Sequence, residues 1–193
     1  MMIRKVCVLG NTASGKSHLA GRIGEALGLP VTHLDRLYWH SDWSHASRAE
    51  FLADQRGVVS QDRWVIDGCF SEFGLADRFQ AADVIVFLDR PVWESVRRAA
   101  RRRGTNRDDL AGDDEAMRWW LTVAFLAEMV LFPLVDRPRI HKAARMCQAR
   151  RYRVTSWDQE DALIAKLTCG DAPRGQRPGT NVDAARKWGQ CDA

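Results

Sequence analysis

The run Gly10-Asn11-Thr12-Ala13-Ser14-Gly15-Lys16-Ser17 fits the spacing GxxxxGK[ST]. Each residue type in that pattern has a physical job. The glycines let the chain curl so that successive backbone N–H groups point inward, and the helix that follows adds the positive end of its dipole. Lys16 then reaches the β- and γ-phosphates of a nucleoside triphosphate, and the Ser17 hydroxyl ligates Mg²⁺. The bland alternative is a chance match in a glycine-containing turn. A strand before the loop and an amphipathic helix after it argue against that. His18 stands directly after Ser17. An imidazole there either donates a hydrogen bond to the nucleotide or faces solvent, and the sequence does not decide between them.

The elements that must position this loop follow from hydrophobic patterning. Residues 3–9 read as a buried strand, and a helix from Gly15 places Leu19, Ile23 and Leu27 on one face before Gly28-Leu29-Pro30 ends it. Further strands are expected at 31–34, 63–67, 82–89 and 151–157, and helices at 46–57, at about 91–103, from Asp113, at about 138–150 and at 159–168. Asp89 is placed to cap the helix that carries Pro91 in its first turn. Strand and helix alternate, so a mostly parallel sheet with helices on both faces is expected, in one α/β domain over 1–169. From Gly170 onward glycine, proline and polar residues dominate, which predicts a loosely held tail over 170–193.

Composition narrows the class. The chain of 193 residues is long enough to bury a core without staples. Its five cysteines are scattered and odd in number, which argues against a disulfide framework or a zinc site and favours a reducing cytoplasm. His40 and His45 have no obvious third ligand, so no metal site is expected there. The net charge of +4 is mild. From Arg90 to Arg107 seven arginines stand against one acid, Glu94, and Asp108, Asp109, Asp113, Asp114 and Glu115 follow. Adjacent blocks of opposite sign suggest a local ion-paired or anion-binding device more than a face for a nucleic-acid duplex. The apolar run 119–135 carries Glu128 and meets the helix-stopping Pro133, so a buried helix is expected and not a membrane span.

A loop of this kind serves GTPases, motor ATPases and small-molecule kinases alike. The sequence carries no NKxD-like guanine-reading element. It has no Asp-Glu pair at the end of the third or fourth strand, where strand three ends Asp67-Gly68 and strand four Asp89-Arg90. The ordered set GNTASGKSHLA, HLDRLYW (33–39), WVIDGCF (64–70), DVIVFLDRP (83–91) and the arginine block through RDD (107–109) resembles the adenylate-kinase-related P-loop family. Its nearest resemblance is to the bacterial DNA topology modulation proteins (FlaR-like), over about residues 3–168. The resemblance implies a three-layer P-loop NTPase fold of nucleotide-kinase type. It implies a five-stranded sheet in the order 2-3-1-4-5, a short arginine-rich lid at about 97–109 and an acceptor-side segment at about 35–60.

By the same resemblance Asp67 helps place Mg²⁺ and its waters, and Gly68 allows backbone to approach substrate closely. Arg107 and Arg118 would clamp the transferring phosphoryl group, whose spread charge suits guanidinium forks. Arg97, Arg101 and Arg102 could form the lid face. In related kinases the segment after the second strand holds the acceptor. There Asp35 could orient or deprotonate a hydroxyl, Arg36 could hold an anionic substrate, and Trp39 or Trp43 could stack on a base. Plainer roles are open for these too, Asp35 as a helix cap and Trp43 as a core anchor. The Thr-Gly-Asp-x-x-x-Arg element by which adenylate kinases bind the monophosphate is missing between 34 and 63, which puts AMP as acceptor in doubt. The expectation is an ATP- and Mg²⁺-dependent phosphotransferase with a small phosphoryl acceptor. The alternatives are a nucleotide-binding regulator acting on DNA or RNA, or a polynucleotide 5′-hydroxyl kinase.

Overall fold

The structure, a computed structural model, describes residues 2–40, 44–101 and 123–169. Five strands form one sheet: β1 (Lys5–Gly10), β2 (Val31–His33), β3 (Trp64–Asp67), β4 (Val84–Leu88) and β5 (Arg150–Val154). Their order is β2-β3-β1-β4-β5, and every pairing is parallel. The expected order is therefore found, with a sheet that is wholly parallel. Helices α1 (Lys16–Leu27), α2 (Leu34–Tyr38), α3 (Arg48–Val59), α4 (Leu75–Ala81), α5 (Val92–Arg101), α6 (Val123–Arg145) and α7 (Asp158–Thr168) connect the strands.

Period-two alternation divides the central strands between two cores. Val6 and Val8 of β1 join Val65, Val84 and Val86 in a cluster closed by Leu19 and Ile23 of α1 and Leu163 and Leu167 of α7. Cys7 and Leu9 point the other way, into a cluster with Trp64, Ile66 and Phe87, closed by Phe51 of α3, Phe79 of α4 and Ile140 of α6. Because β1 is buried on both faces, its end is fixed from all sides, and the loop that follows inherits that rigidity.

Three local features depart from the sequence expectation. Helix α4 was not foreseen. Its seven residues are short for a periodic signal, and it starts from Gly74 with φ +63°. Asp89 does not act as a cap but bridges two guanidinium groups, Arg137 Nη2 at 2.6 Å and Arg153 Nη2 at 2.6 Å. Two charge-assisted bonds outcompete a single capping bond.

The third concerns Pro133, expected to stop a helix, and the separate helix expected at 138–150. A single α6 runs from Val123 to Arg145 with Pro133 and Pro138 inside it. A proline at 133 cannot donate to the carbonyl four residues back, that of Met129. That carbonyl instead accepts from Asn11 Nδ2 at 2.9 Å. The donor missing from the helix is supplied by the loop after β1, so the helix continues and is docked onto that loop.

Candidate functional site

Strand β1 ends at Gly10 and α1 begins at Lys16, so residues 11–15 turn between them at the carboxyl edge of the sheet. Ser14 N–H donates to the Asn11 carbonyl at 3.1 Å, and Thr12 N–H donates to Asn11 Oδ1 at 2.8 Å. Gly15 adopts φ +98°, and a Cβ there would lie 2.9 Å from Arg98 Nη1 and 3.0 Å from the Trp157 ring. Only glycine meets both the conformation and the crowding. Ala13 also has positive φ, +57°, which is local strain of the kind ligand loops hold.

Lys16 is 8% exposed, lines an open cleft of about 470 Å³, and makes no hydrogen bond or ion pair within the described residues. A buried ammonium without a partner beside a helix N-terminus is arranged for an anion that is not part of the protein. Gly10, Thr12, Ala13 and Ser17 line the same cleft. Ser14 and Asn11 are buried beneath it. His18 points away: its side chain is 60% exposed, with Nδ1 4.0 Å from Glu160.

Asp67 ends β3 in register with Val8 of β1 and His33 of β2. Its Oδ2 bonds His33 Nδ1 at 2.9 Å, while Oδ1 is buried with no partner. That orphaned oxygen is chemically suited to accept from the water shell of a cation. No three His, Cys, Asp or Glu converge on one point among the described residues, so a protein-only metal cluster is not what the site offers.

The opposite wall was less legible. Helix α2 places Asp35 and Tyr38 along the cleft with Trp39 at its C-cap, and an antiparallel bridge between Trp39 and His45 follows it. Arg36 is exposed and does not line the cleft. The 68–70 backbone is pinned from below by Arg78, fully buried in α4, which donates to the carbonyls of Gly68 (2.9 Å), Cys69 (2.7 Å) and Phe70 (3.1 Å). Burial pushes its guanidinium below the usual arginine value. Gly68, at φ +132°, leaves no room for a Cβ, which would sit 2.8 Å from Leu34. Helix α6 adds Glu128, Phe132 and Asp136. Glu128 had registered only as a polar interruption of an apolar run, although an acid at such a place is itself a signal of function. Desolvation, then the nearby charge of Asp136, raise its pKa, with Asp35 acting the same way and Lys16 opposing. Glu128 still reaches solvent at the cleft mouth, and screening limits the effect.

Of the arginine block, Arg98 faces the loop. It donates from Nη1 to the Ser14 carbonyl at 3.3 Å, and its guanidinium lies 4.1 Å from the Trp157 ring centroid. Arg90 covers the same ring at 3.3 Å and pairs with buried Glu160. Arg90 is thus a core ion pair and no lid group. Arg97 and Arg101 are exposed on α5. Arg107 and Arg118, with Arg102, Trp43 and the 170–193 tail, lie outside the described residues.

The sheet order and the loop after β1 match the fold of solved P-loop kinases. Among solved structures, the chain is similar to a shikimate kinase from Acinetobacter baumannii in complex with shikimate, with TM-score 0.61, 13% identity, and 86% of this chain and 90% of that one covered. It is also similar to a gluconokinase from Sinorhizobium meliloti, with TM-score 0.53, 17% identity, and 86% and 94% covered. No family model and no curated protein sequence matches the chain. At these identities the likeness is one of fold. No described helix is long and apolar enough to cross a membrane.

Proposed function

We propose that the chain is an ATP- and Mg²⁺-dependent phosphotransferase that moves the γ-phosphoryl group to a hydroxyl of a small molecule. The observation that carries this is Lys16, buried, unpaired and opening onto a cleft whose far wall holds Asp35. The backbone N–H groups of the loop that are not bonded to Asn11, those of Ala13 and Gly15, would cradle the phosphates, and Lys16 would reach the β- and γ-phosphates. Ser17 would hold Mg²⁺, and Asp67 Oδ1 would accept from its waters. When bound, the ion neutralises charge building on the phosphate oxygens. Asp35 orients the acceptor hydroxyl and takes its proton. Arg107 and Arg118 are assigned to the charge on the transferring group. Catalysis is then positioning and charge stabilisation without a covalent intermediate.

The test is an ADP-release screen with Mg-ATP against sugars, amino alcohols, hydroxy acids including shikimate and gluconate, nucleosides, nucleoside monophosphates and 5′-hydroxyl oligonucleotides. Release stimulated by one class supports the reading. The oligonucleotide arm addresses the motif resemblance to topology modulation proteins and the polynucleotide kinase alternative. Rates equal to the no-acceptor blank throughout would contradict phosphoryl transfer to a small molecule.

A further inference from the structure

The charge of the cleft's far wall narrows the acceptor, an inference that rests on the phosphotransferase reading above. Four carboxylates line the cleft: Asp35 at the start of α2, Glu72 ahead of α4, and Glu128 and Asp136 on α6. Glu128 makes no hydrogen bond or ion pair within the described residues, and Asp136 accepts from Ser71 Oγ at 2.5 Å, a neutral partner. The cations lining the cleft among the described residues are Lys16 and Arg139. Lys16 belongs to the triphosphate, and Arg139 is engaged by Glu72 at 2.6 Å. The wall is therefore acidic on balance.

Its geometry says which kind of positive group it suits. The carboxylates do not converge tightly enough to hold a metal ion, so they bound a space and do not surround a point. Aromatic side chains fill the intervals. Tyr38 lies 5.1 Å from Phe70 and 6.4 Å from Phe73 between ring centroids, and Trp39 stands edge-on to Tyr38 at 5.0 Å. All four line the cleft. Phe73 already carries a cation over its ring, Arg48 at 5.4 Å. Carboxylates and aromatic rings lining one cleft are the groups that recognise organic ammonium ions. An acceptor carrying a carboxylate or phosphate would instead meet like charge from the lining acids, in a cleft already receiving a polyanion. Lys16, nine-tenths buried and unpaired in the same cleft, shows independently of the acids that the space is built for a ligand.

We propose that the acceptor is a hydroxylated amine, bound with its ammonium between Glu128, Asp136 and the aromatic rings and its hydroxyl toward Asp35. The hydroxyl oxygen forms a bond to the γ-phosphorus. The bond from that phosphorus to the bridging oxygen breaks, its electron pair leaving on ADP, and the hydroxyl proton passes to Asp35 and on to solvent.

The test uses skeleton-matched probes: glucosamine, glucose and gluconate, then 3-aminopropanol, 1,3-propanediol and 3-hydroxypropionate. Binding is read by calorimetry on protein loaded with Mg²⁺ and a non-hydrolysable ATP analogue, and transfer by mass spectrometry with Mg-ATP. The amines are expected to bind roughly tenfold or more tighter than the acids, as charge-assisted bonds allow. Glu128→Gln and Asp136→Asn should each narrow that ratio. Acids binding as tightly as amines, or no amine binding in either series, would overturn the inference. So would an unchanged ratio in both variants. Amine binding without transfer to any probe would uphold the charge inference and sink the kinase reading. Transfer with gluconate preferred would do the reverse.

Discussion

The bond between Asn11 and the Met129 carbonyl joins the phosphate loop to the helix that forms the far wall, and its contribution can be isolated. Asn11 is 3% exposed and Met129 fully buried. Asn11→Ala removes the 2.9 Å bond and leaves a carbonyl that water cannot reach. An unsatisfied buried acceptor costs about 1–3 kcal/mol. The Thr12 N–H also loses its partner, but Thr12 is half-buried and recovers water. With a urea slope of about 2 kcal/mol/M, the midpoint should fall by roughly 0.5–1.5 M. Pro133→Ala supplies a backbone N–H one turn on, able to satisfy Met129 from within α6. In that background Asn11→Ala should cost less by about 1 kcal/mol or more, a coupling typical of groups sharing one partner. Urea denaturation of the four proteins measures the cycle. Equal costs of Asn11→Ala in both backgrounds would refute the account of why the helix passes through Pro133.

Three further outcomes follow from buried groups. Arg78→Leu strands three carbonyls at 68–70, and although it relieves a charge held at a cost by burial, it should destabilise by about 3 kcal/mol; a denaturation midpoint shift worth under 1 kcal/mol would contradict its pinning role. Glu128 has a raised pKa in the folded state, so its ionisation opposes folding as pH rises through the ordinary carboxylate range; Glu128→Gln should raise the melting temperature at pH 7 and lose that gain in more acidic solution, whereas a pH-independent change would oppose this. Burial pushes the thiols of Cys7 and Cys69 up to about 12, so at pH 8 iodoacetamide mapped by mass spectrometry should label exposed Cys169 well before either, and prompt labelling of fully buried Cys7 would contradict its enclosure.

The donor half of the site was legible because it is local. Eight consecutive residues set the curvature, the dipole and the lysine, and the strand before them is apolar on both faces. The sheet order came through the motif resemblance, and the structure bears it out. What escaped depends on chain segments far apart. Nothing near Pro133 reveals that Asn11, over a hundred residues earlier, supplies the missing donor. Nothing around Arg78 says that its three acceptors are the backbone of a loop eight to ten residues back. Glu128 was visible as an oddity, but only packing of α6 beside the loop turns it toward Lys16. In the arginine block, spacing singled out Arg97 and Arg101, while the packing of α5 brings Arg98 to the Ser14 carbonyl.

The central claim is that the cleft transfers phosphate and that Lys16 is the hinge of that chemistry. Purified protein incubated with ¹⁸O-labelled γ-phosphate ATP, Mg²⁺ and the acceptor panel, read by mass spectrometry, tests it directly. Labelled phosphoryl should appear on an acceptor oxygen with wild type and fall by roughly 10²–10³-fold in Lys16→Ala, the loss expected for one preorganised charge contact. Equal label transfer by wild type and Lys16→Ala, or label released only as inorganic phosphate, would contradict it.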